Sequence, residues 1–179
     1  MHRTGLLKFV KEGLNMPNFI VMSRRSAEEY SRKAHMENSI IISISDSYDF
    51  FPKFKRMKSN GIKDILNLSF DDVQLPSGAS ERYIWKKDEG LLFDTLDNTP
   101  YIVISDEDAK KIVSFIKKWY DKVDIIIVHC NAGISRSSGV CAAIMKAMTG
   151  DDSQIFNNPR YLPNTTCYKK VLEEFMKEE

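Results

Sequence analysis

The chain has 179 residues, 42% of them hydrophobic and 28% charged, a composition that suits one globular domain over 1–179 with a sizeable core. Its 26 basic and 25 acidic side chains leave a formal net charge of +1, so no global field draws it to nucleic acid or an anionic membrane. Three cysteines, Cys130, Cys141 and Cys167, are too few and uneven for a disulfide scaffold and point to a reducing, cytoplasmic setting.

Residues 1–17 read as an N-terminal arm or short helix. Their apolar patch, Gly5-Leu6-Leu7, is cut by Lys8 and Lys11, and is too short for a signal peptide. No apolar run in the chain approaches the roughly 20 residues of a membrane span. Residues 19–22 predict a short buried strand. Ser26 and Glu29 have the spacing of a capping box, which predicts a helix to about residue 35. The β-branched run at 39–44 predicts an interior strand, 46–59 a loop with a helical turn, and 62–70 a second buried strand ending at Asp71-Asp72. Turn signals at Pro76-Ser77-Gly78 and Glu89-Gly90 break up 73–99, where 82–86 and 91–93 can form the arms of a hairpin.

Residues 101–104 predict another short strand. Ser105 followed by Asp106, Glu107 and Asp108 marks a helix start, and Ala109, Ile112, Val113, Ile116 and Trp119 recur at helical spacing. The apolar run 124–128 is a strand of the kind buried inside a parallel sheet. A helix over 137–148 follows a short turn and stops at Gly150; 151–156 predicts a short helix, and Thr165 or Thr166 starts the last one. Strands alternating with helices imply an α/β fold: a central, mostly parallel twisted sheet flanked by helices.

One segment carries chemistry. A buried strand ends at His129-Cys130, five residues separate Cys130 from Arg136, and a helix begins directly after. Ligands of open α/β sheets bind where a strand's C-terminal end meets a helix N-terminus. The loop Asn131, Ala132, Gly133, Ile134 and Ser135 is small and uncharged, so its backbone N–H groups can turn inward as an anion-binding nest. The helix adds its free N–H groups and its positive end. Arg136 supplies a planar fork that grips two phosphate oxygens. Such surroundings favour the thiolate of Cys130 and make it a nucleophile.

The run His129-Cys130-Asn131-Ala132-Gly133-Ile134-Ser135-Arg136-Ser137 closely resembles the signature of the protein tyrosine phosphatase superfamily. The part Ala132–Ser137 is similar to the dual-specificity branch. The Phe70-Asp71-Asp72-Val73 segment and Pro163-Asn164 look most like small bacterial or phage members. The resemblance is specific over about 125–147, weaker over 65–73, and absent from the first quarter of the chain. It implies that Cys130 attacks phosphorus and forms a thiophosphate intermediate. It further implies that Arg136 stabilises the transition state, that Ser137 bonds the sulfur and eases its departure, and that His129 supports the loop. No metal or other cofactor is implied. The partner is a phosphorylated protein or peptide, with neither nucleic acid nor membrane.

The resemblance also calls for a general acid, an aspartate on a neighbouring loop. Asp72 is the first choice, since the acid stands a couple of residues past the strand, and Asp71 is the alternative. The gap from Asp72 to Cys130 is long for the family, so 73–99 is read as an insertion, leaving Asp94 and Asp97 as outside candidates. Cys141 is read as core packing, with a protective disulfide to Cys130 as the other option. The cluster Lys53, Lys55, Arg56 and Lys58 reads as a solvated face or as a basic cleft mouth. Arg24 and Arg25 are read with the same reserve. Other chemistries that place a cysteine in a phosphate-sized loop, sulfur transfer and arsenate reduction, stand beside the phosphatase reading, as does a non-catalytic phosphate-binding module. Phosphoinositide or RNA triphosphate substrates are disfavoured by a loop without lysine.

Overall fold

The computed structural model describes residues 16–55, 58–75 and 81–177. The N-terminal arm up to residue 15 and Arg56 lie outside these.

Four strands form a parallel sheet in the order β1-β7-β2-β3: β1 (Asn18–Ser23), β2 (Ser39–Ser45), β3 (Ile62–Ser69) and β7 (Ile125–Cys130). Every residue of β2 is buried, as expected of a central strand covered on both faces. Alternation along the strands divides the core in two. Ile40, Ile42, Ile44, Ile126 and Val128 face the large cluster built with α2 (Asp106–Trp119), α3 (Arg136–Thr149) and α5 (Thr165–Lys177). Ile41 and Ile127 face the smaller one, which Phe54 and Tyr30 of α1 (Arg24–Ser31) help to close. The short α4 (Ser153–Phe156) follows α3.

A second sheet, antiparallel, occupies the segment read as an insertion: β4 (Tyr83–Lys86), β5 (Leu91–Asp94) and β6 (Thr99–Ile102), in chain order. The hairpin expected at Glu89-Gly90 is present, Pro76-Ser77-Gly78 lies outside the described residues, and the strand expected at 101–104 is found two residues earlier, as β6, paired with β5. Leu92 turns inward, and Tyr83, Trp85 and Tyr101 pack on the large cluster.

Local signals set most boundaries. At α2 the Ser105 hydroxyl accepts from Asp108 N at 3.0 Å while the Asp108 carboxylate accepts from Ser105 N at 2.9 Å. α1 departs from expectation. Its cap is Ser23, whose hydroxyl accepts from Ser26 N at 3.2 Å, so the helix starts three residues early and stops at Ser31. Ser26 lies inside the first turn because β1 runs straight into α1 with no connecting loop. α3 is buried along most of its length, and α5 comes so close that a Cβ on Gly139 would stand 2.4 Å from the Asn164 carbonyl oxygen. Among the described residues no helix is long and apolar enough to cross a membrane.

Candidate active site

The parallel register brings three chain segments to one edge of the sheet. Ser43 pairs with His129 and Ser45 with Ser69, so Asp46, the Asp71-Asp72 pair and the loop after Cys130 leave the sheet side by side.

Cys130 is 2% exposed, and its Sγ lies 3.1 Å from the Ser137 hydroxyl in the first turn of α3. Ser135, at the N-cap of α3, makes no side-chain cap bond, so the first N–H groups of that helix keep their capacity for an anion. None of the backbone N–H groups from Asn131 to Arg136 donates to an acceptor among the described residues. Gly133 makes this loop possible. Its φ is +71°, and a Cβ there would stand 2.5 Å from the Met22 carbonyl carbon and 2.6 Å from Ser23 N. Gly133→Ala therefore combines a left-handed backbone with a clash against β1. We expect it to lower stability by about 2–4 kcal/mol and displace the loop, measured by urea unfolding; an unchanged midpoint would show that β1 can yield.

Arg136 is 3% exposed and doubly anchored. Nη2 lies 2.7 Å from Asp46 Oδ1, and Nη1 donates to the Phe70 carbonyl at 2.7 Å. Nε is buried and has no partner among the described residues. A buried donor left unpaired is costly, and a ligand oxygen accepting from Nε offsets that cost. Asp46 also accepts from the Asn131 side chain, which ties both ends of the loop to the end of β2.

His129 supports the loop from the opposite face of β7. Its Nδ1–H donates to the Cys130 carbonyl at 3.4 Å, so Nε2 accepts from the Ser43 hydroxyl at 2.8 Å. Burial pushes the ring down from 6.5 to about 4 and keeps it neutral. The unfolded chain binds this proton more readily, so the stability due to a neutral His129 is intact above pH 6.5 and drains away as the pH falls toward 4. The shift is worth about 3 kcal/mol at full extent. Urea unfolding against pH should show wild type losing stability relative to His129→Gln across that window; parallel curves would place the acid sensitivity elsewhere.

The two candidate acids take different positions. The Asp71 carboxylate is buried and accepts three bonds, from Ser47 N and Oγ at 2.9 Å each and from Ile102 N at 2.7 Å, which clamp the loop after β2 and the edge of β6. Asp72 is exposed and meets the phosphate loop: its Oδ1 accepts from the Ser135 hydroxyl at 2.7 Å and from Asn164 Nδ2 at 3.0 Å. The outside candidates are engaged elsewhere. Asp94 is held by Arg82 at 2.8 Å, a pairing that keeps its carboxyl below the usual range, and Asp97 accepts from Thr99 N at 2.9 Å.

Asp46 is not marked by the sequence, and Asn164 is marked only through the Pro163-Asn164 resemblance, with no role attached to it. Asn164 is fully buried; besides Asp72 it reaches the Val73 carbonyl at 2.9 Å, and its Oδ1 caps α5 by accepting from Cys167 N at 3.0 Å. Only its place before a helix start hinted at a cap, and nothing local marked Asp46.

All three cysteines are free thiols, and burial pushes Cys141 up to about 12, consistent with core packing. Lys53 and Lys55 are exposed, whereas Arg24 pairs with Asp49 at 2.6 Å and Arg25 with Glu29 at 3.0 Å. Among the described residues no group of three or more His, Cys, Asp or Glu side chains is gathered as metal ligands. The site thus combines one buried thiol, a following loop whose N–H groups have no partner among the described residues, and the Asp72 carboxylate bonded to Ser135.

No protein-family model matches the sequence, and no curated protein matches it. Solved structures do. The crystal structure of Tk-PTP in the active form matches with 16% identity and a TM-score of 0.50, covering 92% of this chain and 93% of that one. Human DUSP28 matches at 16% identity, TM-score 0.47, over 90% and 94% of the two chains. PTPMT1 matches at 17% identity, TM-score 0.44, over 92% and 88%. The likeness to Tk-PTP shows the fold: a protein tyrosine phosphatase-type α/β architecture with a four-stranded parallel sheet flanked by helices.

Proposed function

We propose that the chain is a metal-independent phosphatase that hydrolyses phosphotyrosine in proteins or peptides through a cysteinyl-phosphate intermediate. Phosphoserine and phosphothreonine are accepted only as far as pocket depth allows. The observation that carries this reading is the buried Nε of Arg136 and the N–H groups of the loop between Cys130 and Arg136, none with a partner among the described residues. Cys130 Sγ attacks phosphorus as the ester P–O bond breaks, and Asp72 gives its proton to the departing oxygen. Arg136 and the loop amides meet the charge on the transferring group. Water then attacks the thiophosphate with Asp72 as base, and Ser137, 3.1 Å away, donates to the leaving sulfur.

The test is turnover of para-nitrophenyl phosphate with EDTA present, paired with mass spectrometry of acid-quenched protein. Turnover together with a phosphoryl group on Cys130 supports the reading. Neither, from a folded wild-type protein, sinks it and moves the search to sulfur transfer, arsenate reduction or binding alone.

The acid assignment has its own outcome. Asp72→Asn should lower kcat by about 10²–10³-fold for poor leaving groups and flatten the basic limb of the pH profile. Asp71→Asn should spare that limb and cost about 2 kcal/mol of stability by loosening the clamp on Ser47 and Ile102. If the limb vanishes with Asp71→Asn and survives Asp72→Asn, the acid is Asp71.

A further inference from the structure

The segment that carries Asp72 is held from two sides. On one side Asp71 N donates to the Ile102 carbonyl at 2.8 Å and the Asp71 carboxylate accepts from Ile102 N at 2.7 Å, which pins the segment to β6. On the other side Gln74 and Leu75 bond to the first turn of α5. Gln74 Oε1 accepts from Thr165 N at 3.2 Å and from the Thr165 hydroxyl at 2.7 Å, and Leu75 N donates to Thr166 Oγ1 at 2.8 Å. Asn164 links these bonds to the acid. Its Nδ2 donates to Asp72 Oδ1 at 3.0 Å and to the Val73 carbonyl at 2.9 Å. Its backbone N–H donates to the Ser135 carbonyl at 3.1 Å, so one helix start holds both the acid segment and the loop after Cys130.

Gln74 and Leu75 open the stretch 73–99, to which the resemblance assigns no role. Their bonds do more than an ordinary helix cap needs. α5 has a cap in Asn164, whose Oδ1 accepts from Cys167 N at 3.0 Å. Gln74 brings a further acceptor to that helix end from 91 residues away in the chain. Thr166 is buried, so water competes poorly for the bond from Leu75 N, and Val73 and Leu75 pack on the large core cluster. Asp72, by contrast, is exposed. A carboxylate in solvent keeps its place only as far as its backbone does, and a reacting group misplaced by about 1 Å costs rate steeply.

We infer that Gln74 and Thr166 are positioning residues for the acid: they clasp the backbone that follows Asp72 to the start of α5, and so fix the carboxylate beside Ser135 before substrate arrives. Neither touches the reacting atoms. The chain leaves Asp72 through this clasp and returns through β6 to Asp71, so the antiparallel sheet is tied into the same support.

This inference rests on the phosphatase reading with Asp72 as the acid. Gln74→Ala/Thr166→Val removes both acceptors and leaves Asp72, Asn164 and the loop after Cys130 unaltered; Gln74→Ala alone is run beside it. With phenyl phosphate, whose leaving group needs a proton, kcat should fall about tenfold, and with dinitrophenyl phosphate, whose leaving group does not, it should stay within about twofold. Affinity for inorganic phosphate should hold. In an Asp72→Asn background the same substitutions should cost nothing further with phenyl phosphate, because the group they position is gone. Equal losses on both substrates, or a loss that persists in the Asp72→Asn background, would reduce the clasp to a helix cap and overturn the inference, as would unchanged kinetics. A second readout needs no turnover. Exchange of the Asn164 side-chain amide protons, followed by NMR, should quicken about tenfold in the variants as the bonds to Asp72 and Val73 open; unchanged exchange would overturn the clasp. Absence of para-nitrophenyl phosphate turnover by wild type retires the phosphatase reading by itself, and the exchange measurement still decides whether Gln74 and Thr166 hold Asp72.

Discussion

Cys130→Ser is expected to reduce turnover of para-nitrophenyl phosphate on the order of 10⁴-fold or more, the scale of losing an enzyme nucleophile. It should still bind inorganic phosphate. A serine hydroxyl attacks only if a base takes its proton, and none is placed to do so. His129 Nε2 is committed to Ser43 on the far face of β7, and among the described residues the Cys130 sulfur meets the Ser137 hydroxyl at 3.1 Å. The donors proposed for the oxyanion, by contrast, are backbone N–H groups and Arg136, which the substitution leaves alone. Competition between phosphate and a chromogenic substrate, with direct calorimetry on the variant, checks both halves. Turnover within tenfold of wild type would remove Cys130 as the nucleophile. Lost turnover with lost phosphate binding would mean that the loop has collapsed.

Arg136→Lys should be nearly as severe, lowering kcat/KM about 10³-fold. The guanidinium does three things in one plane: it pairs with Asp46, donates to the Phe70 carbonyl and keeps a buried Nε without a partner among the described residues. A lysine ammonium is a single point and cannot span those directions. Wherever it settles, either Asp46, the Phe70 carbonyl or the bound oxyanion loses its donor. The cost should fall on kcat and on phosphate affinity together. A variant within about tenfold of wild type in kcat/KM would show that charge alone suffices and that the planar fork is dispensable.

Asp46 follows from the same geometry as a positioning residue. It meets no reacting atom of its own, but it fixes the plane of Arg136 and bonds Asn131 at the other end of the phosphate loop. Asn164 holds Asp72 and the α5 start in a comparable way. These side chains lie 85 and 92 residues from Asn131 and Asp72 respectively, and no pattern in the chain pairs them.

The elements of the fold were legible because their causes are local. The run Ile40 to Ile44 has to be buried on both faces, α2 shows its apolar stripe and capping box, and Gly150 supplies the left-handed residue that ends α3. The strand–loop–helix unit around Cys130 was legible for the same reason: strand end, thiol, small residues, arginine and helix start are contiguous, and backbone geometry within a few residues sets each. The cap of α1 was misplaced because Ser23 and Ser26 are chemically equal, and only the abrupt end of β1 chooses between them.

What tertiary structure alone decided is how distant carboxylates are used. Asp71 and Asp72 are adjacent and identical in kind, yet one is buried under Ser47 and Ile102 and the other reaches Ser135. That division comes from where β6 and the loop after β2 pack, which no local propensity encodes. The same holds for Asp46 on Arg136. The sequence by itself determined that a thiol, a loop of small residues, an arginine and a helix start share one turn. The pairing of parallel strands, far apart in the chain, decided which carboxylate holds the arginine and which one meets Ser135.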